Sequence, residues 1–132
     1  VRLNRDEFAA LAGFKPEGGA LTGYGRDNLT VVALSGEIDH VSDGFRLVTI
    51  ENGDPAMGLV TAMGCACSAV TAAFLAVEKD AWTATASALV AFGVAGEIAG
   101  TEARGPGSFA VAMLDVLHRL DRERLISAAR IV

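Results

Sequence analysis

The chain opens with the polar run Asn4-Arg5-Asp6-Glu7, followed by Phe8, Ala9, Leu11 and Ala12 and then Gly13. Asn is a favoured N-cap, a Glu three residues later completes a capping box, and Gly is a common helix stop. The pattern predicts a short helix over 5–12. Residues 13–29 show no period and are crowded with Gly13, Pro16, Gly18, Gly19, Gly23, Gly25, Asp27 and Asn28. This stretch reads as loop, long enough to suggest a lid, a disordered segment or missing sequence. Thr30–Leu34 is a continuous apolar, β-branched run suited to a strand buried on both faces. Glu37–Val41 alternates polar with apolar, Ser42-Asp43-Gly44 makes a turn and Phe45–Ile50 returns, the signature of a hairpin. Glu51–Pro55 is a second turn cluster. Beyond Gly64 the period becomes helical, with predicted helices over 65–77, 81–99, 108–120 and 122–129. Gly93 and Gly96 would let a neighbouring helix come close.

Composition narrows the class. A chain of 132 residues, 52% hydrophobic and 20% charged, is long enough for one core and too apolar for disorder, so residues 1–132 read as a single domain. The mean hydropathy of +0.40 is high. Even so, the longest apolar stretch, Ala81–Ala99, is interrupted by Thr83, Thr85, Ser87, Gly93, Gly96 and Glu97, and reads as a buried helix rather than a membrane span. A net charge of -5 disfavours nucleic-acid partners. Two cysteines one residue apart, Cys65 and Cys67, build no disulfide framework, which fits a reducing, cytoplasmic compartment. VRLNRDEF carries charge where a secretory leader would be apolar, so none is expected. Strands first and helices after predict an α/β layered fold: a short sheet with a β-hairpin packed on the C-terminal helices. So few strands leave the helices under-covered, which points to oligomerisation or to sequence outside this chain.

Four places could carry chemistry. In Val60-Thr61-Ala62-Met63-Gly64-Cys65-Ala66-Cys67 a small-residue turn runs straight into a helix. The first N–H groups of a helix lack internal partners and sit at the positive end of its dipole, so the turn suits a phosphate. Cys65 would lie there as proton acceptor or polar contact, or else be a small buried residue starting a core helix. Cys67 reads as core. The run from Arg2 to Glu7 is either only a capping box or a phosphate contact (Arg2) beside a carboxylate ordering a metal-bound water (Glu7). Ser35, at the end of the buried strand, is a nucleotide contact or a simple turn serine. Gly105-Pro106-Gly107-Ser108 reads as architecture, His118 as surface, and Trp82 as core or interface.

Together these segments resemble the C-terminal half of hydroxyethylthiazole kinases, of the ribokinase-like superfamily. Val1–Phe8 with Leu11-Ala12-Gly13 is similar to the family's "RGNASEI…LAG". Ser35–Asp39 with Ser42-Asp43-Gly44 resembles "TGEVDYVTDG", and Thr61–Cys65 with Ser68-Ala69 resembles "TGTGCALSA". Ala95-Gly96-Glu97 followed by Gly105–Phe109 resembles "AGE…GPGSF". The resemblance implies a partial ribokinase-like fold. It also implies transfer of the γ-phosphoryl of ATP, with Mg2+, to the primary alcohol of 4-methyl-5-(2-hydroxyethyl)thiazole in thiamine salvage. It assigns ATP contacts to Arg2 and Ser35 and the magnesium-organising pair to Asn4 and Glu7. Ala62, Met63 and Gly64 become the anion hole and substrate contact, and Cys65 the catalytic residue. A homo-oligomer, a trimer in the family, is implied as well. The chain departs from the pattern at Ala62, where the family has Gly, and at the bulkier Met63. The helix that normally precedes the buried strand is expected to be replaced by the glycine-rich loop. The family's N-terminal half has no counterpart here, so the fold is expected to need complementing. The alternatives are a catalytically impaired relative that still binds nucleotide or thiazole, and an oligomerising interaction module.

Overall fold

The computed structural model describes residues 1–132. In chain order the elements are β1 (Arg2–Leu3), α1 (Arg5–Ala12), α2 (Ala20–Asp27), β2 (Val32–Leu34), β3 (Asp39–Ser42) and β4 (Leu47–Ile50). A 3-10 turn (Pro55–Leu59) then leads to α3 (Met63–Leu75), α4 (Ala81–Glu102), α5 (Pro106–Arg119) and α6 (Arg122–Ala128). The four strands form one mixed sheet in the order β1-β2-β3-β4. β1 runs parallel to β2, with Arg2 opposite Ala33, and the other two pairings are antiparallel. Beyond β4, Thr49 and Val132 exchange backbone hydrogen bonds and Ile50 bridges Ile131, so the C-terminal residues cover that edge. β1 is the opposite edge.

The alternation of side chains across a strand sorts the core into two layers. Ala33, Val41, Val48 and Ile50 face α4 and pack with Leu89, Phe92, Val94 and Phe109. Val32 and Leu34 point to the other face, against Phe8 of α1 and Leu21 of α2. β2 is therefore buried on both sides, as its unbroken apolar run requires. α4 is the central helix. It is long and apolar enough to cross a membrane, but two-thirds of that stretch (67%) is buried inside the fold, which makes it a core helix.

The short first helix forms as its caps dictate: Asn4 Oδ1 accepts from the Glu7 N–H and Glu7 Oε2 accepts from the Asn4 N–H, both at 2.8 Å. Gly13 closes it in the left-handed region at φ 79°. The expectation of loop throughout 13–29, and of a lost helix before β2, is overturned by α2. Local propensity opposes that helix, since each interior Gly costs about 1 kcal/mol relative to Ala. Tertiary contact favours it. Leu21 is buried, Tyr24 packs edge-on against Phe8 at 5.4 Å, and Arg26 Nη2 donates to the Gly44 carbonyl at 3.1 Å. A Cβ on Gly25 would stand 3.1 Å from the Gly44 nitrogen, and one on Gly44 would stand 2.6 Å from Arg26 backbone. The glycines that look like loop are what let the helix meet the hairpin turn.

Candidate active site

Parallel pairing brings the ends of β1 and β2 to the same side of the sheet, and the N-terminus of α3 arrives beside them. In open α/β sheets this is where ligands bind. Arg2 is the centre of the cluster. Its Nη1 donates to Ser35 Oγ at 2.6 Å and its Nε to Ser68 Oγ at 2.8 Å, while Ser68 Oγ donates to the Gly64 carbonyl at 3.2 Å. The guanidinium lies so close to α3 that a Cβ on Gly64 would be 3.1 Å from Nη2. Gly64 is thus the residue that lets a cation sit against the first turn of the helix.

α3 starts abruptly. Ala62 occupies its N-cap in the left-handed region, φ 66° and ψ 12°, with no side-chain cap. The first internal bond runs from the Ala66 N–H to the Ala62 carbonyl at 3.0 Å, and the N–H groups of Gly64 and Cys65 find no acceptor in the chain. Orphan donors at the positive end of a 13-residue helix, with an arginine alongside, make a place for an anion. Cys65 is exposed there and Cys67 is buried. The alternative of Cys65 as a buried core residue is therefore excluded. Cys67 is the core cysteine, its thiol pushed up to about 11 by burial.

Asp39 completes the cluster from β3, on the face it shares with Val41. Its Oδ1 accepts from the Gly36 N–H at 2.9 Å and so holds the turn that carries Ser35. Burial pushes its carboxyl up to about 6, against the opposing pull of the Gly36 N–H and the Arg2 charge. Ser68 and Asp39 are not among the expected site residues, although both lie inside the motifs, Asp39 closing Ser35–Asp39 and Ser68 following Thr61–Cys65. What pairs Ser68 with Arg2 is the packing of α3 against β1.

Asn4 and Glu7 cap α1 just beyond β1, so the capping box is present in full. No group of three His, Cys, Asp or Glu side chains converges anywhere in the chain, so no all-protein metal cage is present. Ser108 Oγ accepts from the Arg104 and Gly105 N–H groups at 2.8 and 3.1 Å, as an architectural role requires, and His118 is exposed. Trp82 is half-buried, donating to the Val41 carbonyl at 3.2 Å beneath Arg46.

Comparison with known proteins fits this geometry. The Hydroxyethylthiazole kinase family matches residues 22–123. The chain belongs to this family. The hydroxyethylthiazole kinase of Moorella thermoacetica is 38% identical over 144 residues, covering 99% of this chain and 54% of its own length. A probable hydroxyethylthiazole kinase of Agrobacterium fabrum is 50% identical over 97 residues, 74% of this chain and 39% of its own length. The solved structure of the hydroxyethylthiazole kinase protein from Pyrococcus horikoshii OT3 superposes with a TM-score of 0.91 at 39% identity, covering 99% of this chain and 53% of that one. The chain thus spans about half the length of these full-length relatives, and within that half it keeps the fold of a hydroxyethylthiazole kinase. The family match begins at residue 22, inside α2.

Proposed function

We propose that this chain supplies the C-terminal half of an ATP-dependent kinase acting on the primary alcohol of 4-methyl-5-(2-hydroxyethyl)thiazole, in thiamine salvage. The observation that carries the reading is the convergence of Arg2, Ser35 and the unpartnered Gly64 and Cys65 amides at one end of the sheet, in a chain of this family. Phosphoryl transfer relies mainly on positioning and charge stabilisation. Arg2 and Ser35 bind the ATP phosphates. The Ala62–Cys65 turn receives the charge that builds up on the transferring group, and Met63 lies in the same turn as a substrate contact. The alcohol oxygen bonds to the γ-phosphorus as the bond to ADP breaks. The alcohol proton passes to Cys65 Sγ, which accepts it as the thiolate and becomes the thiol; Cys65 is the exposed cysteine of the turn.

Magnesium favours few carboxylates together with water and substrate phosphates. Glu7 uses Oε2 for its cap and keeps Oε1 without a hydrogen bond in the chain, on an exposed side chain. That donor set fits an ion arriving with ATP, with Glu7 ordering one of its waters and Asn4 holding Glu7 in place. The ion supplies neutralisation of phosphate charge.

The open β1 edge and the exposed Ala69, Ala72, Ala73 and Leu75 of α3 support assembly with the remainder of the kinase fold and with further copies, as a trimer. Incubation with ATP, Mg2+ and the thiazole alcohol, followed by phosphorus NMR, tests the reading. A thiazole phosphate ester forms, and Cys65→Ala abolishes it while the fold persists. ATP binding without any ester would instead identify a catalytically impaired relative. Stability that depends on protein concentration and ignores both ligands would identify an interaction module.

A further inference from the structure

The turn that presents Ala62–Cys65 is itself exposed, so something behind it must fix its place. The segment leading to it leaves β4 at Asn52, which is 4% exposed. Asn52 Nδ2 donates to both Glu97 oxygens at 3.1 and 3.2 Å and to the Ala128 carbonyl at 2.9 Å, and its Oδ1 accepts from the Arg130 N–H at 2.7 Å. Glu97 Oε1 also accepts from the Gly53 N–H at 2.9 Å, and the Arg130 guanidinium pairs with the same carboxylate. A buried amide with every polar atom used is a rigid anchor.

The segment then lies along α4. Beside Glu97, Gly93 and Gly96 leave room that a Cβ would fill: it would meet the Asn52 carbonyl oxygen at 2.6 Å and Met57 Sδ at 2.5 Å, and one on Gly100 would overlap the Asp54 carboxylate. Asp54 Oδ1 in turn accepts from the Ala56 N–H at 2.8 Å and starts the 3-10 turn. That turn ends at Val60, whose carbonyl accepts from the Met63 N–H at 3.4 Å. An unbroken series of contacts runs from Glu97 to the first turn of α3.

We propose that Glu97 and Asn52 are positioning residues for the anion-facing turn, fixing the 52–62 segment on α4 so that the Gly64 and Cys65 amides point at the phosphate site. The function of the turn rests on the kinase reading above; the mechanical coupling does not. It is tested by amide hydrogen exchange in the intact chain, read at Ala66, whose N–H closes the first turn of α3. The equivalent amide of α5, Phe109 bonded to the Gly105 carbonyl at 2.9 Å, serves as reference.

Glu97→Ala speeds exchange at Ala66 about tenfold relative to Phe109. Glu97→Gln, which keeps an oxygen for Gly53 and Asn52, restores most of the protection. Val116→Ala, a core truncation on α5 that leaves the Glu97–Asn52 hydrogen bonds in place, changes both amides together. If Glu97→Ala does not fold, Gly100→Ala displaces Asp54 alone and is read at the same amide. Unchanged Ala66-to-Phe109 ratios in the folded variants overturn the proposal. Should the wild-type chain, assembled with its missing half, fail to phosphorylate the thiazole alcohol, the kinase reading falls and the exchange ratios still decide the coupling. Where it does turn over, Glu97→Ala lowers kcat several-fold and leaves the KM for ATP, set by Arg2 and Ser35, nearly unchanged.

Discussion

Ala62→Gly should make this protein more stable, although glycine usually weakens a helix. Ala62 holds φ 66°, where an L-residue's Cβ crowds the following carbonyl at a cost of about 1–2 kcal/mol. Glycine removes that strain. It adds back about 0.4–1 kcal/mol through the greater freedom of the unfolded chain. Ala62 is also the N-cap, a position where glycine is preferred to alanine. The sum is a gain of about 0.5–1 kcal/mol, a rise of about 2–4 °C in Tm for a domain of this size. Urea unfolding of wild type and variant, at one protein concentration so that assembly does not intrude, measures it. Ala69→Gly is the internal control: it is exposed in the middle of the same helix, and should lose about 1 kcal/mol. If Ala62→Gly lowers the midpoint as Ala69→Gly does, position 62 does not hold a left-handed conformation and the account of how α3 begins is wrong.

Other outcomes follow from the same geometry. Asp39 has its carboxyl raised to about 6 from an ordinary 3.8, so the fold holds a proton that the unfolded chain has released between those values. Its stabilising contribution is full below pH 4 and lost as pH rises through 6. Asp39→Asn, which keeps an acceptor for Gly36, should therefore gain about 1–2 kcal/mol at pH 8 and nothing at pH 4, the ceiling of about 3 being discounted for partial exposure; equal gains at both pH values in urea titrations would falsify this. Arg2→Met should weaken ATP binding by about tenfold or more, through loss of a charge-assisted contact, and calorimetry showing unchanged affinity would remove Arg2 from the phosphate site. A thiol reagent under native conditions should modify Cys65 and leave Cys67 untouched until denaturant is added, as mass mapping of the labelled peptide would show. Gly93→Ala forces a Cβ onto Asn52 backbone and should cost about 1–3 kcal/mol; a urea midpoint equal to wild type would mean that the 52–62 segment does not lie on α4 as described.

Local signals in the sequence determined a good deal. Asn4, Glu7 and Gly13 set the limits of α1 through hydrogen bonds and a left-handed stop that act within one turn of chain. The unbroken run at 30–34 required a strand with two covered faces, and the alternation around Ser42-Asp43-Gly44 required a hairpin. Three of the four motifs, in chain order, contain Arg2, Ser35 and the Ala62–Cys65 turn. Tertiary structure decided the rest, because those outcomes depend on atoms far apart in the chain. α2 forms against its own propensity because Gly25 and Gly44 let the helix and the hairpin touch. Ser68 and Asp39 join Arg2 and Ser35 only when α3 and β3 pack beside β1 and β2. Gly93 and Gly96 read in the sequence as room for a neighbouring helix; what lies over them, and over Gly100, is instead the 52–57 segment, which only the tertiary structure brings there. Two residues of spacing place Cys65 and Cys67 on different sides of α3; the reading of Cys67 as core agrees with the structure, and the packing of that side of α3 against the fold is the physical reason.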